Sequence, residues 1–187
     1  MIAQFLDIIL LSLKLDKNLY KESKFFSDAA IFFAALIILI TSLISILPNT
    51  FFLDYMANMI GKVESPRLAG VIIGGFIGWL LISGYLFFFG AILFPNKSTQ
   101  KNFKKTMVIV GYAHGPLVLN CFILKPSLFF IFGLTYIWYT INLIVGVNQL
   151  YQYKNLIKST FLVTAPIIIL FVYTILQIST LLTSTTT

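Results

Sequence analysis

The charges of this chain are bunched, and the gaps between them dictate what it can fold into. Five stretches carry no charge at all: residues 29–53, 68–96, 106–124, 126–153 and 159–187. A hydrocarbon core of roughly 30 Å needs about 20 apolar residues of helix, so each stretch is long enough to cross. A water-soluble domain carries about a quarter charged residues; this chain carries 10%. The expected class is therefore all-α, a polytopic membrane bundle of five transmembrane helices, and soluble folds are excluded. The longest strongly polar run, Lys14 to Asp28, is too short for a separate soluble domain.

Proline and charge mark the ends of the spans. The first runs from about Ala29 to Leu47, with Asp28 placed to cap it and Pro48 to stop it. The second lies within Leu68 to Phe94, and the third covers Thr106 to Leu124. A tight Lys125-Pro126 turn makes the third and fourth spans antiparallel neighbours. The fourth runs from about Ser127 to Asn148 and the fifth from about Ser159 to Leu182.

Sidedness follows from basic residues, which collect on the cytoplasmic face. With the N-terminus inside, ten lysines fall on inner segments and only Lys62, Arg67 and Lys125 on outer ones. The C-terminus is then outside. The net charge of +7 is explained by these flanking lysines, so no nucleic-acid partner is expected.

Ahead of the first span, Ile2, Phe5, Leu6, Ile9 and Leu13 recur at helical spacing. They predict a short helix lying in the cytoplasmic interface. Asp7 and the lack of a basic leader argue against a cleaved signal. The outer segment from Thr50 to Arg67 is the longest connection, and Phe51, Phe52, Tyr55, Met56 and Met59 place it on the membrane surface.

Inside the spans, three features stand out. Gly70, Gly74 and Gly78 form overlapping GxxxG pairs, a pattern that lets helices approach closely; internal packing or a homo-oligomer seam is expected there. The third span carries Gly111, Tyr112, His114 and Pro116, with Asn120 one turn on. Pro116 has no amide hydrogen for the Tyr112 carbonyl, so the helix should bend. That carbonyl should find a partner, Asn142 or Tyr139, across the hairpin. The fourth span bears a matching stripe of Thr135, Tyr139, Asn142, Gly146 and Gln149. Polar groups in hydrocarbon need partners, so the two stripes should meet.

Catalytic and metal chemistry have little to work with. His114 is the only histidine and Cys121 the only cysteine, so no metal, cofactor or disulfide framework is expected. Cys121 is read as a small core residue. A serine–histidine pair would need Ser83 beside His114, with no acid mid-span to orient the ring. The chain is therefore expected not to be an enzyme.

The run Gly111-Tyr112-Ala113-x-x-Pro116, with Trp138, Gly146 and a short basic loop at Lys154 to Lys158, resembles the Yip family of Ypt/Rab-interacting membrane proteins. The resemblance implies the same five-span topology, reached above from charge alone. Residues 1–24 then form a cytoplasmic amphipathic segment, 25–183 the five-span Yip-like membrane domain and 184–187 a polar tail. Eukaryotic members carry Asp-Leu-Tyr-Gly-Pro before the first span. This chain has Asp16-Lys17-Asn18-Leu19-Tyr20 with no Gly-Pro, so a Rab-type GTPase partner does not carry over. The short N-terminal segment is similar to prokaryotic members, which implies the plasma membrane of a prokaryote. The expected role is a non-enzymatic membrane scaffold or interaction protein, bound to the bilayer, to other membrane proteins or to a second copy through the glycine face. The alternative is a small transporter or channel subunit with a polar site between the third and fourth spans.

Overall fold

The computed structural model describes residues 2–21, 26–27, 29–46, 68–97, 99, 101–123, 126–128, 130–153 and 155–169. Among them the secondary structure is helical. Helix α1 (Ile2–Leu13) leads through a 3-10 turn, Lys17–Tyr20, to α2 (Ala30–Ile44). Helix α3 (Leu68–Leu93) is followed by α4 (Phe103–Ala113), which continues as a 3-10 segment, Gly115–Phe122. Helices α5 (Phe130–Tyr151) and α6 (Leu156–Ile169) complete the described chain.

Each uncharged stretch thus contains helix. Two of the helices, α3 and α5, are long and apolar enough on their own to cross a membrane. The outer segment 50–67, Asp28 and the Lys125 side of the expected turn lie outside the described residues. Helix α2 starts at Ala30, and the residue before it, Ala29, makes no side-chain cap.

The core is a stack of α2, α4 and α5, with α3 against α2 and α4. Its buried side chains include Phe33, Ile37, Ile109, Tyr112, Val147 and Tyr151. Glycine makes two of these contacts possible. A Cβ at Gly111 would stand 2.9 Å from the Ala34 Cα, and one at Gly146 would stand 2.6 Å from the Ile109 Cγ2. Neither distance leaves room for a side chain.

Helix α3 is not regular throughout. Its last seven residues, Phe87–Leu93, adopt a π-helix, which misaligns backbone hydrogen bonds with the turn before. Two tyrosines from beyond the end of α5 and its last turn supply donors there. The Tyr151 hydroxyl donates to the Leu86 carbonyl at 3.1 Å, and that of Tyr153 to the Gly90 carbonyl at 2.9 Å. A Cβ at Gly90 would collide with the Tyr151 ring. The π-turn and the two phenols are one structural unit.

Helix α1 docks onto the bundle with a face other than its most apolar one. Ile8 and Ser12 are its buried residues, whereas Ile2 and Leu6 are exposed. Its seat is the 3-10 segment after α4. Two residues past the helix, Leu15 lies in the left-handed region at φ 54°, which lets the Asp16 amide donate back to the Leu11 carbonyl at 3.0 Å. Asp16 then accepts from the Asn18 amide and starts the next turn. That turn buries Leu19 and Tyr20.

Candidate functional site

The third uncharged stretch is where the backbone departs from ideal form and where polar side chains gather. Asn102 caps α4 by accepting the Lys105 amide at 3.1 Å. The α-helix stops at Ala113, three residues before Pro116, and the chain tightens to three residues per turn. A proline ring at Pro116 displaces the carbonyl four residues back and offers it no hydrogen. An eight-residue 3-10 run is long for that geometry, and here its period decides what is buried. Leu117, Asn120 and Ile123, three apart, all point inward. Cys121 is exposed, not in the core, because a 3-10 helix turns it off that ridge.

The carbonyl of Tyr112 does find a partner, but not in the hairpin. It accepts the Ser12 hydroxyl of α1 at 2.9 Å. Gly115 makes room for this contact: a Cβ there would lie 2.7 Å from the Ser12 oxygen.

The two polar stripes meet in part. Thr135 donates its hydroxyl to the Asn120 side-chain oxygen at 2.6 Å, joining the 3-10 segment to α5. Asn142 instead accepts from the Tyr20 hydroxyl at 3.2 Å and donates to the Trp138 carbonyl at 3.2 Å. Burial raises the Tyr20 phenol above its usual range, so the hydroxyl keeps its hydrogen. Ser12 and Tyr20 were invisible as site residues in the sequence. The clue to Tyr20 was its place in the Asp16 to Tyr20 segment, where the family carries its own tyrosine.

His114 stands beside Tyr139, with ring centroids 4.5 Å apart. Its Nδ1 lies 2.7 Å from the Val110 carbonyl. A carbonyl only accepts, so Nδ1 carries a hydrogen, and in the neutral ring Nε2 is left as an acceptor. Tyr139 is buried, and its hydroxyl has no hydrogen-bond partner among the described residues. Ser83 is likewise fully buried with an unpartnered hydroxyl, so it makes no hydrogen bond to His114. No cluster of three metal-ligating side chains occurs among the described residues.

His114, Asn120 and Tyr139 border a cavity of about 370 Å³ whose other walls come from α2 and α3. Gly70, Gly74 and Gly78 form part of the α3 wall. A Cβ built on any of the three meets nothing within 4 Å among the described residues. The close approach of α2 to α3 occurs instead at Gly75, where a Cβ would collide with Ser42.

A match to the Yip1 domain family covers residues 19–177. The chain belongs to the Yip1 domain family. The match takes in the Tyr20 turn, the Pro116 break and the Tyr151–Tyr153 unit, so these features all sit inside the Yip1 domain. No match was found among curated proteins or among solved structures. As a Yip1 domain made of apolar helices, it is an integral membrane protein.

Proposed function

We propose that this Yip1-domain protein is a non-enzymatic scaffold that organises other components of a prokaryotic plasma membrane. In this reading the chain crosses five times, with its N-terminus in the cytoplasm and its C-terminus outside. One observation carries the role: three polar groups of α4, the 3-10 segment and α5 are engaged in holding helices together. Asn120 holds Thr135, Asn142 holds Tyr20, and the Tyr112 carbonyl holds Ser12. A conducting path needs such groups free along its length. The outward faces of α3 and α5 carry exposed Ile73, Ile77, Leu81, Ile137 and Ile141, a surface suited to lipid and to the helices of other membrane proteins or a second copy.

Capture from native membranes in mild detergent tests the role. A reproducible set of co-purifying membrane proteins that is lost on Ile77→Ser/Leu81→Ser supports it; recovery of the chain alone refutes it. For topology, Cys121 is first replaced by serine. Membrane-impermeant labelling from the cytoplasm should then reach cysteines at Lys101 and Asn155 but not at Lys62 or Thr186. Cytoplasmic labelling of Thr186→Cys overturns the five-span arrangement.

The cavity beside His114 favours a second reading, a small transporter or channel subunit. Aqueous maleimide reaching Gly74→Cys from both sides of the membrane would support that reading over the first.

A further inference from the structure

We propose that the cavity between α2, α3, the 3-10 segment and α5 binds a lipid whose head group is an uncharged hydroxyl. This goes beyond the scaffold reading and does not depend on it.

The head-group chemistry follows from what the lining leaves open. Thr41 donates to the carbonyls of Ile37 and Ile38, and Ser45 to that of Ser42. The Asn120 oxygen is held by Thr135. The Tyr139 hydroxyl, on a side chain only 8% exposed, stands without a partner among the described residues, and the half-buried His114 on the same wall is bonded through Nδ1. A polar group left unsatisfied in hydrocarbon costs several kcal/mol, so the phenol calls for an occupant, and the imidazole Nε2 offers that occupant an acceptor. The two rings lie side by side, with centroids 4.5 Å apart. A hydroxyl fits, because it donates to an imidazole acceptor while accepting from a phenol. The described lining contains no lysine, arginine or carboxylate. A phosphate head would be buried there without a counter-charge, at high cost.

The lipid tail has its own place. A second cavity, about 290 Å³ and walled by α3, α5 and α6, shares Ile82 and Tyr139 with the first. Leu81, Leu86, Leu143 and Val163 line it. Tyr139 thus stands between a compartment of mixed polar and apolar lining and one that is almost wholly apolar, as an amphiphile requires. A single water would satisfy the phenol but would leave both spaces largely empty. The side-chain-free wall at Gly70, Gly74 and Gly78 offers a lateral way in from the bilayer.

The test uses the purified full chain in phosphatidylcholine nanodiscs with three photoactivatable probes sharing the same acyl chains. They are diacylglycerol, its acetyl-capped form and phosphatidic acid. Diacylglycerol should label peptides of α3 and α5, and the other two probes should label weakly. Tyr139→Phe, which removes one oxygen, should lower diacylglycerol labelling about threefold to tenfold, the range for one hydrogen bond. His114→Phe should do the same, while remote Tyr153→Phe should not. Gly74→Leu should abolish labelling by filling the wall. Unchanged labelling in Tyr139→Phe and His114→Phe, or equal labelling by the capped or phosphate probe, overturns the proposal. So does a Gly74→Cys disulfide between copies, which would place a second helix over the cavity. That last result would leave the scaffold reading standing, whereas labelling without protein partners would leave only the lipid site.

Discussion

Ser12 and Tyr112 are one hundred residues apart in sequence and 2.9 Å apart in space, hydroxyl to carbonyl. The bond exists because Pro116 cannot serve the Tyr112 carbonyl as a helical residue would. A backbone acceptor exposed by proline needs another donor inside a membrane protein. Here the donor comes from the N-terminal helix, and Gly115 gives it room to approach.

Ser12→Ala should therefore loosen α1, at a cost of about 1 kcal/mol, or up to about 3 if the carbonyl stays dry. Limited proteolysis should cut near Leu15 faster, with the rest of the bundle unchanged. Gly115→Val should release α1 more completely, since the new side chain would occupy the place of the Ser12 hydroxyl. Equal cutting rates in wild type and both variants would mean that α1 is held elsewhere.

Two glycines should respond in opposite ways to the same methyl group. Gly111→Ala would press on the Ala34 backbone and should cost about 1–3 kcal/mol. Gly74→Ala meets open space and should be neutral or slightly stabilising, since alanine favours helix by about 1 kcal/mol over glycine. Thermal aggregation midpoints in one detergent would rank them. A larger loss at Gly74 would show that a partner covers that face.

Asn120 and Thr135 form the one direct side-chain bond between the 3-10 segment and α5 among the described residues. A double-mutant cycle with Asn120→Leu and Thr135→Val should give a coupling of about 0.6 kcal/mol, and at most about 1.7. A coupling near zero would mean that water replaces the bond.

Pro116→Ala should let the α-helix run on past Ala113, turning Asn120 away from Thr135 and impairing function through shape. His114→Gln keeps a polar acceptor and should leave partner capture intact. Loss of function in the histidine variant, with the proline variant tolerated at equal membrane levels, would point to proton transfer instead.

Burial pushes the Tyr153 phenol from its ordinary value of 10.0 up to about 12. The folded state therefore favours the neutral form. That contribution is complete below pH 10 and fades as pH rises from 10 through about 12, when the donor to Gly90 is lost. The melting temperature should fall across that window in wild type and fall less in Tyr153→Phe. Lys158, whose ammonium lies 5.2 Å from the ring centroid, touches the same ring, so the comparison is made in a Lys158→Gln background. Identical pH profiles would separate Tyr153 from the stability of the π-turn.

The helices were legible because charge and proline mark their ends, and the polar stripe of the fourth helix because its residues recur at helical spacing. The break at Pro116 was legible too, since a missing amide hydrogen is a property of the residue itself. The partner of Tyr112 was not, because hydrogen bonding across one hundred residues leaves no local pattern. Gly75 was hidden for a different reason. Gly70, Gly74 and Gly78 share the more conspicuous motif, yet which side of α3 meets α2 depends on the Ser42 side of the neighbouring helix. Cys121 was misplaced because lying inside an uncharged stretch does not say which side of a three-residue turn a side chain takes.

The docking of α1 has a consequence for how the protein is made. The ribosome delivers α1 before the rest of the bundle, but its seat requires Tyr112 and Gly115, and the following turn requires Asn142 and Gly146 to receive Tyr20. Neither receptor exists until α4 and α5 have been synthesised and inserted. Through that interval the N-terminal segment must wait in the nascent chain with Ile8, Leu19 and Tyr20 unburied. A segment made ahead of its receptors is thus among the last to find its place, and its docking marks the completion of the fold.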